Sequence, residues 1–194
     1  MLYLVTKDEQ MLVMSGNKLM DMDEDTYKEK VAGLIKSKSD LEKVLKQYDA
    51  SKYPSPVYAL GDVLTDRDVK CAIRNEIRDL SKSGVEVYMS HFMAGRDEVP
   101  IMKPLGAYHT IDVEFVFFVD EGDEGLNEAE KALSRSVISH WASFAYTGNP
   151  NAMAAGVAWP KYNMESNEQY IEFDTDHIST STNLFPQCDF WDNL

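Results

Sequence analysis

Apolar residues along the chain change spacing several times, and each change marks an element. Met1-Leu2-Tyr3-Leu4-Val5 is an apolar run that enters the polar stretch Thr6-Lys7-Asp8-Glu9, with Met11-Leu12-Val13-Met14 beyond it. A strand ending at a polar loop is the simplest reading of residues 1–14. From 26 to 48 the spacing becomes helical: Tyr27, Val31, Leu34 and Ile35, then Leu41, Val44, Leu45 and Tyr48. Two capping boxes, Thr26 to Glu29 and Ser39 to Glu42, predict the starts of two short helices. Pro54 and Pro56 are expected to stop the pattern. Residues 65–83 predict a longer helix with Val69, Ala72, Ile73, Ile77 and Leu80 on one face and Gly84 as its C-terminal cap. Val85 to Phe92 then has the pattern of a strand. Helix, glycine, strand is the rhythm of an α/β fold.

A loop with Gly95, Pro100, Pro104 and Gly106 spans residues 94–108, and His109 closes it. Residues 112–119 are apolar and aromatic. The clearest helix runs over 127–147, with Asn127 as cap and Leu126, Ala129, Leu133, Val137, Trp141, Phe144 and Ala145 as its apolar stripe. Gly148 and Pro150 end it. A strand-like Gln169 to Phe173 leads to a tail, Cys188-Asp189-Phe190-Trp191, whose aromatics are expected to be packing anchors. No repeat and no linker divides residues 1–194, so one domain is expected.

Composition narrows the function classes. With 33 acidic against 19 basic residues, the net charge is −14, which disfavours nucleic acid and anionic membranes as partners. The charge is spread along the chain, as on a solvated surface. No apolar run approaches the about eighteen residues of a membrane span. Met1 to Val5 is too short for a signal peptide and lacks a basic flank, and no Asn-x-Ser/Thr sequon occurs. Cys71 and Cys188 match no metal spacing; sequence arithmetic alone allows one disulfide or two free thiols.

Five strings, taken in order, carry a resemblance. They are Lys7-Asp8-Glu9; Gly106-Ala107-Tyr108-His109-Thr110-Ile111-Asp112-Val113-Glu114-Phe115-Val116-Phe117; Trp141-Ala142-Ser143-Phe144-Ala145-Tyr146-Thr147-Gly148-Asn149-Pro150-Asn151; Trp159-Pro160-Lys161-Tyr162; and Cys188-Asp189-Phe190-Trp191. Each is weak alone, but together they resemble the type-B carboxylesterase family, which includes cholinesterases. The resemblance implies an incomplete α/β-hydrolase fold, the C-terminal strands and helices of its mixed sheet, corresponding to roughly the last third of a family member.

The family hydrolyses esters with a serine nucleophile, a histidine base and an acid that orients the histidine. In α/β-hydrolases these follow in the order serine, acid, histidine. By resemblance Glu9 is the acid and His109 the base. No serine here stands in a Gly-x-Ser-x-Gly elbow, and the family's Gly-Gly oxyanion segment is also missing. The expectation is therefore a fragment that is inactive alone, with a small-molecule ester as substrate of a complete domain and no cofactor or metal. The alternative is a non-catalytic cholinesterase-like binding or adhesion module, with a protein partner. The resemblance further implies a Cys71–Cys188 disulfide and a secreted or extracellular location.

Two positions depart from the family. Gln10 stands where it often has glycine, and Thr110 where it often has glycine or alanine. A β-branched residue at 110 would crowd an unusual backbone conformation. Core packing is the expected role of Phe115 and Phe117, and His91, His140 and His177 read as structural or exposed.

Overall fold

The computed structural model describes residues 1–17, 19–118 and 125–194. Its centre is a four-stranded sheet in the order β1 (Leu2–Thr6), β2 (Tyr88–Phe92), β3 (Tyr170–Phe173), β4 (Ile178–Ser181). β1 and β2 run parallel with Val5 opposite His91 and Thr6 opposite Phe92. β3 continues the parallel pairing with Ile171 opposite Ser90, and β4 returns antiparallel to it.

Alternation along the strands sends side chains to two cores, as a sheet covered on both faces requires. Tyr88 and Phe92 of β2, with Ile171 and Phe173 of β3, join one apolar cluster that includes Tyr27, Val31, Leu60, Phe115, Val137 and Trp159. Val5, Met89 and Tyr170 face the other, with Ile77, Leu184 and Phe185. The aromatic tail packs as expected: Trp191 Nε1–H donates to the Tyr48 hydroxyl at 2.7 Å, and Phe190 lies edge-on to Tyr48.

The helices refine the sequence reading. α1 (Met11–Gly16) is a short helix rather than strand; Met11 and Met14 are buried beneath it. α2 (Glu24–Leu34) and α3 (Lys38–Gln47) begin before the predicted boxes. The true caps are Asp23, accepting from the Thr26 N–H at 2.8 Å, and Ser37, accepting from the Asp40 N–H at 3.3 Å. Pro56 opens a helix instead of stopping one, since a proline in the first turn forfeits no intrahelical bond. α4 (Pro56–Thr65) runs through a π-helical turn, Asp66–Lys70, into α5 (Cys71–Lys82). Gly84 follows in the left-handed region, φ 80°.

The apolar stretch after His109 forms a short helix, α6 (Ile111–Val116), burying Ile111 and Phe115 one turn apart. Phe117 is a correction: it is 74% exposed. Val119 lies outside the described residues. α7 (Glu128–Thr147) has the full capping box between Asn127 and Glu130, and ends at Gly148 with φ 75°. Last comes α8 (Cys188–Asp192), where Cys188 is joined to Cys71 in a disulfide spanning 117 residues.

Candidate functional site

Three chain segments meet where β1 and β2 end. The first is Lys7-Asp8-Glu9, leaving β1. The Lys7 N–H donates to the Phe92 carbonyl at 2.9 Å, extending the strand pairing by one step. The second is the loop after β2 that contains Gly95. The third is Gly106 to His109. Asp8 lies parallel to Tyr108 in an isolated bridge, and its N–H donates to the Ala107 carbonyl at 2.9 Å.

This juxtaposition brings Glu9 and His109 together, although 100 residues separate them. His109 Nδ1 lies 2.6 Å from Glu9 Oε2. A carboxylate accepts and does not donate, so this geometry has the imidazole N–H pointing at Glu9 and leaves Nε2 as the other ring nitrogen. Glu9 Oε1 is engaged separately, accepting from the Thr6 N–H at 2.8 Å. Glu9 is 7% exposed, whereas the His109 side chain is 64% exposed. A fixed, buried acid thus holds one side of a histidine whose remainder faces outward.

Asp112 stands near the pair. Burial pushes its carboxyl above the ordinary carboxylate range, the Glu9 charge pushes it the same way, and His109 opposes them. Tyr108 is buried, its hydroxyl donating to Glu114 Oε1 at 3.0 Å, and Glu114 in turn pairs with the Arg96 guanidinium. The histidine loop is therefore anchored from the residue beside His109 as well.

The two unusual positions behave differently. Gln10 has helical backbone and donates its N–H to Thr65 Oγ1 at 3.2 Å. Thr110 adopts φ 78°, a left-handed conformation that is costly for a β-branched residue.

Other sequence signals are structural. His91 and His140 are buried. His140 Nδ1 is 3.0 Å from the Pro150 carbonyl, and its ring packs on Trp159 and Phe173. Asn151 ties the string ending α7 to the Trp159 string: its side chain bonds both the N–H and the carbonyl of Trp159, at 2.7 and 2.8 Å. A cavity of about 440 Å³ beyond β2 and β3 is lined by Lys7, Asp97, Glu98, Glu130, Asp174 and Asp176, but includes neither Glu9 nor His109. Among the described residues no His, Cys, Asp and Glu group is arranged to hold a metal ion, and no helix is long and apolar enough to cross a membrane.

The structure brings together the two residues expected from the sequence, Glu9 and His109; Thr6, which bonds Glu9, and Asp8, which bonds Ala107, were not expected there. Asp8 stood beside Glu9 in the acid string, yet nothing local marked its carboxylate as more than a loop charge.

Parallel strands with helices on both faces, and an acid and a histidine carried on the loops that leave them, place the chain with the α/β proteins and are consistent with part of an α/β-hydrolase fold. The carboxylesterase family profile matches residues 2–191, and the chain belongs to that family. It is 33% identical over 139 residues to acetylcholinesterase of Bungarus fasciatus, covering 70% of this chain and 23% of that one. To carboxylesterase 5A of Homo sapiens it is 37% identical over 118 residues, covering 56% and 20%. To cholinesterase of Mus musculus it is 27% identical over 136 residues, covering 69% and 22%. The matched region spans less than a quarter of each relative's own length.

Proposed function

We propose that this chain is the acid- and histidine-bearing portion of a carboxylic ester hydrolase domain, extending over residues 1–194. The observation that carries the reading is the 2.6 Å contact between His109 Nδ1 and Glu9 Oε2, with the imidazole otherwise exposed. In this role Glu9 fixes the ring and stabilises the imidazolium that forms when His109 Nε2 takes a proton from a serine hydroxyl. His109 then returns the proton to the leaving alcohol. The serine and the oxyanion donors come from residues outside these 194, since no serine here has the Gly-x-Ser-x-Gly context that presents a nucleophile on a sharp strand-to-helix turn.

The substrate class is a small-molecule carboxylic ester. A secreted or extracellular setting accords with the Cys71–Cys188 disulfide, which persists where thiols are not kept reduced. A non-catalytic binding module would have no chemical use for a buried carboxylate aimed at an exposed imidazole, so the pair favours the hydrolase.

The test has two arms. The transcript is sequenced toward its 5′ end, and any longer product encoding an elbow serine is assayed on a p-nitrophenyl ester beside its His109→Ala form. The longer product is expected to turn over the ester and the variant to lose at least about a hundredfold. The 194-residue chain assayed alone is expected to stay at background. Turnover by that chain that disappears in His109→Ala would refute the need for an outside nucleophile. A longer product with unaltered activity in His109→Ala would refute the role of His109.

A further inference from the structure

We infer that Asp8 is a positioning residue, whose carboxylate latches the histidine loop in register with Glu9. The role rests on Glu9 and His109 acting as a hydrolase pair. Asp8 holds Ala107 from both sides. Its backbone N–H donates to the Ala107 carbonyl at 2.9 Å, and its side-chain Oδ2 accepts from the Ala107 N–H at 2.9 Å. One residue of the acid loop thus satisfies both backbone groups of one residue in the histidine loop. His109 lies two positions beyond Ala107 and Glu9 one position beyond Asp8, so fixing Ala107 on Asp8 fixes how the two functional side chains face each other.

The latch has a socket. A Cβ on Gly106 would fall 2.3 Å from Asp8 Oδ2 and 2.9 Å from its carboxyl carbon. Gly106 also has φ 59° and ψ −141°, a conformation that favours glycine. Gly95 also lies against Gly106; a Cβ on Gly95 would lie 3.1 Å from the Gly106 carbonyl carbon and oxygen. A methyl group on Gly106 would therefore have to displace the Asp8 carboxylate, and one on Gly95 would press on the Gly106 carbonyl. With glycine at 106 the carboxylate lies against the Ala107 N–H.

A short acceptor is enough for this task, so charge is secondary. The substitution Asp8→Asn keeps a carbonyl oxygen of the same reach, whereas Asp8→Ala removes the acceptor and leaves the Ala107 N–H unpaired on that side.

The tautomer of His109 reads the latch directly. With Nδ1 facing Glu9, neutral His109 carries its proton on Nδ1, the form that free imidazole side chains disfavour. Long-range proton–nitrogen correlation spectra of the isotopically labelled 194-residue chain distinguish the two forms, and His109→Gln assigns the signal. Wild type and Asp8→Asn are expected to hold the Nδ1–H form. Asp8→Ala and Gly106→Ala are expected to lose it in favour of Nε2–H, while the His91, His140 and His177 signals stay in place. Asp8→Ala that keeps the Nδ1–H form in a folded chain, or Asp8→Asn that loses it, overturns the latch; if Asp8→Ala does not fold, Gly106→Ala, which leaves Asp8 in place but displaces its carboxylate, decides in the same way, and keeping the Nδ1–H form there also overturns the latch. A wild-type spectrum in the Nε2–H form removes the Glu9–His109 pair and the latch together. An Nδ1–H wild type with an unaltered Asp8→Ala removes the latch alone.

Discussion

Acid should destabilise this fold through His91, and the size of the effect follows from where that ring sits. His91 is on β2, opposite Val5 of β1, and is buried with its ring edge-on to Phe185 at 5.1 Å. Its Nε2 has no hydrogen-bond partner among the described residues. Burial, reinforced by the charges of Lys70 and Lys7, pushes its pKa down from 6.5 to about 3. Lys70 is itself held over the Phe185 ring and 3.8 Å from Asp66, so a cation stands fixed beside any proton that His91 would take.

A histidine whose folded pKa lies below its unfolded value is protonated preferentially in the unfolded chain. Its contribution to stability is complete above pH 6.5, falls as the pH drops below that, and levels off near pH 3. Between pH 7 and pH 5 the loss is about 2 kcal/mol. For a chain of this length that corresponds to a fall in Tm of about 4–8 °C. The assay is urea unfolding at both pH values for wild type and His91→Leu, with the disulfide intact. Carboxylates such as Asp62 and Asp112, which burial pushes up, titrate in both proteins and cancel in the comparison. The variant should lose about 2 kcal/mol less than wild type on acidification. Equal losses in the two proteins would refute the assignment of His91 as a buried neutral base.

The remaining predictions concern the scaffold. Opening the loop of 117 residues with Cys71→Ser and Cys188→Ser together should cost about 4–5 kcal/mol by chain entropy, read from urea midpoints. Thr110→Gly should stabilise the chain by about 0.5–1 kcal/mol, since Thr110 has φ 78° and makes no side-chain cap bond; a loss of stability would mean that its side chain does more than endure the strain. Asn127→Ala breaks the capping box of α7 and should cost about 1 kcal/mol in thermal or urea unfolding.

What the sequence made legible depended on how local the cause was. β2 and β3 were readable because their residues alternate between two apolar cores, and α7 because its cap, stripe and terminal glycine all lie within one stretch. The starts of α2 and α3 were misplaced for an equally local reason: Asp23 and Ser37 cap as well as Thr26 and Ser39 could, and the choice depends on which turn reaches the core. Val113 to Phe117 could not be assigned by pattern, because a short aromatic run serves a buried helix or a strand alike. Phe117 was misjudged because a run of aromatics does not say which one ends up outside. That Glu9 and His109 would meet was an expectation drawn from their order and their similarity to a family, whereas the Asp8 contact with Ala107 joins residues 99 apart through a backbone N–H, a group every residue type but proline shares.

The same distinction explains why the site is held as it is. Glu9 is fixed through Thr6, the last residue of β1, and Asp8 through Ala107, while Thr6 is itself paired with Phe92 at the end of β2. Strand register therefore places the acid loop at the end of β2, and the Asp8 contacts with Ala107 set the histidine loop against it. A slip of one residue between β1 and β2 would turn Val5 and Tyr3 out of one core and into the other, at a cost of several buried side chains. Packing that fixes the register thereby fixes the acid's side of the pair, and the contacts on Ala107 and Tyr108 fix the histidine's. That leaves His109 free of covering side chains on its outer side, which is where a base must be open if its proton partner arrives from elsewhere in a larger domain.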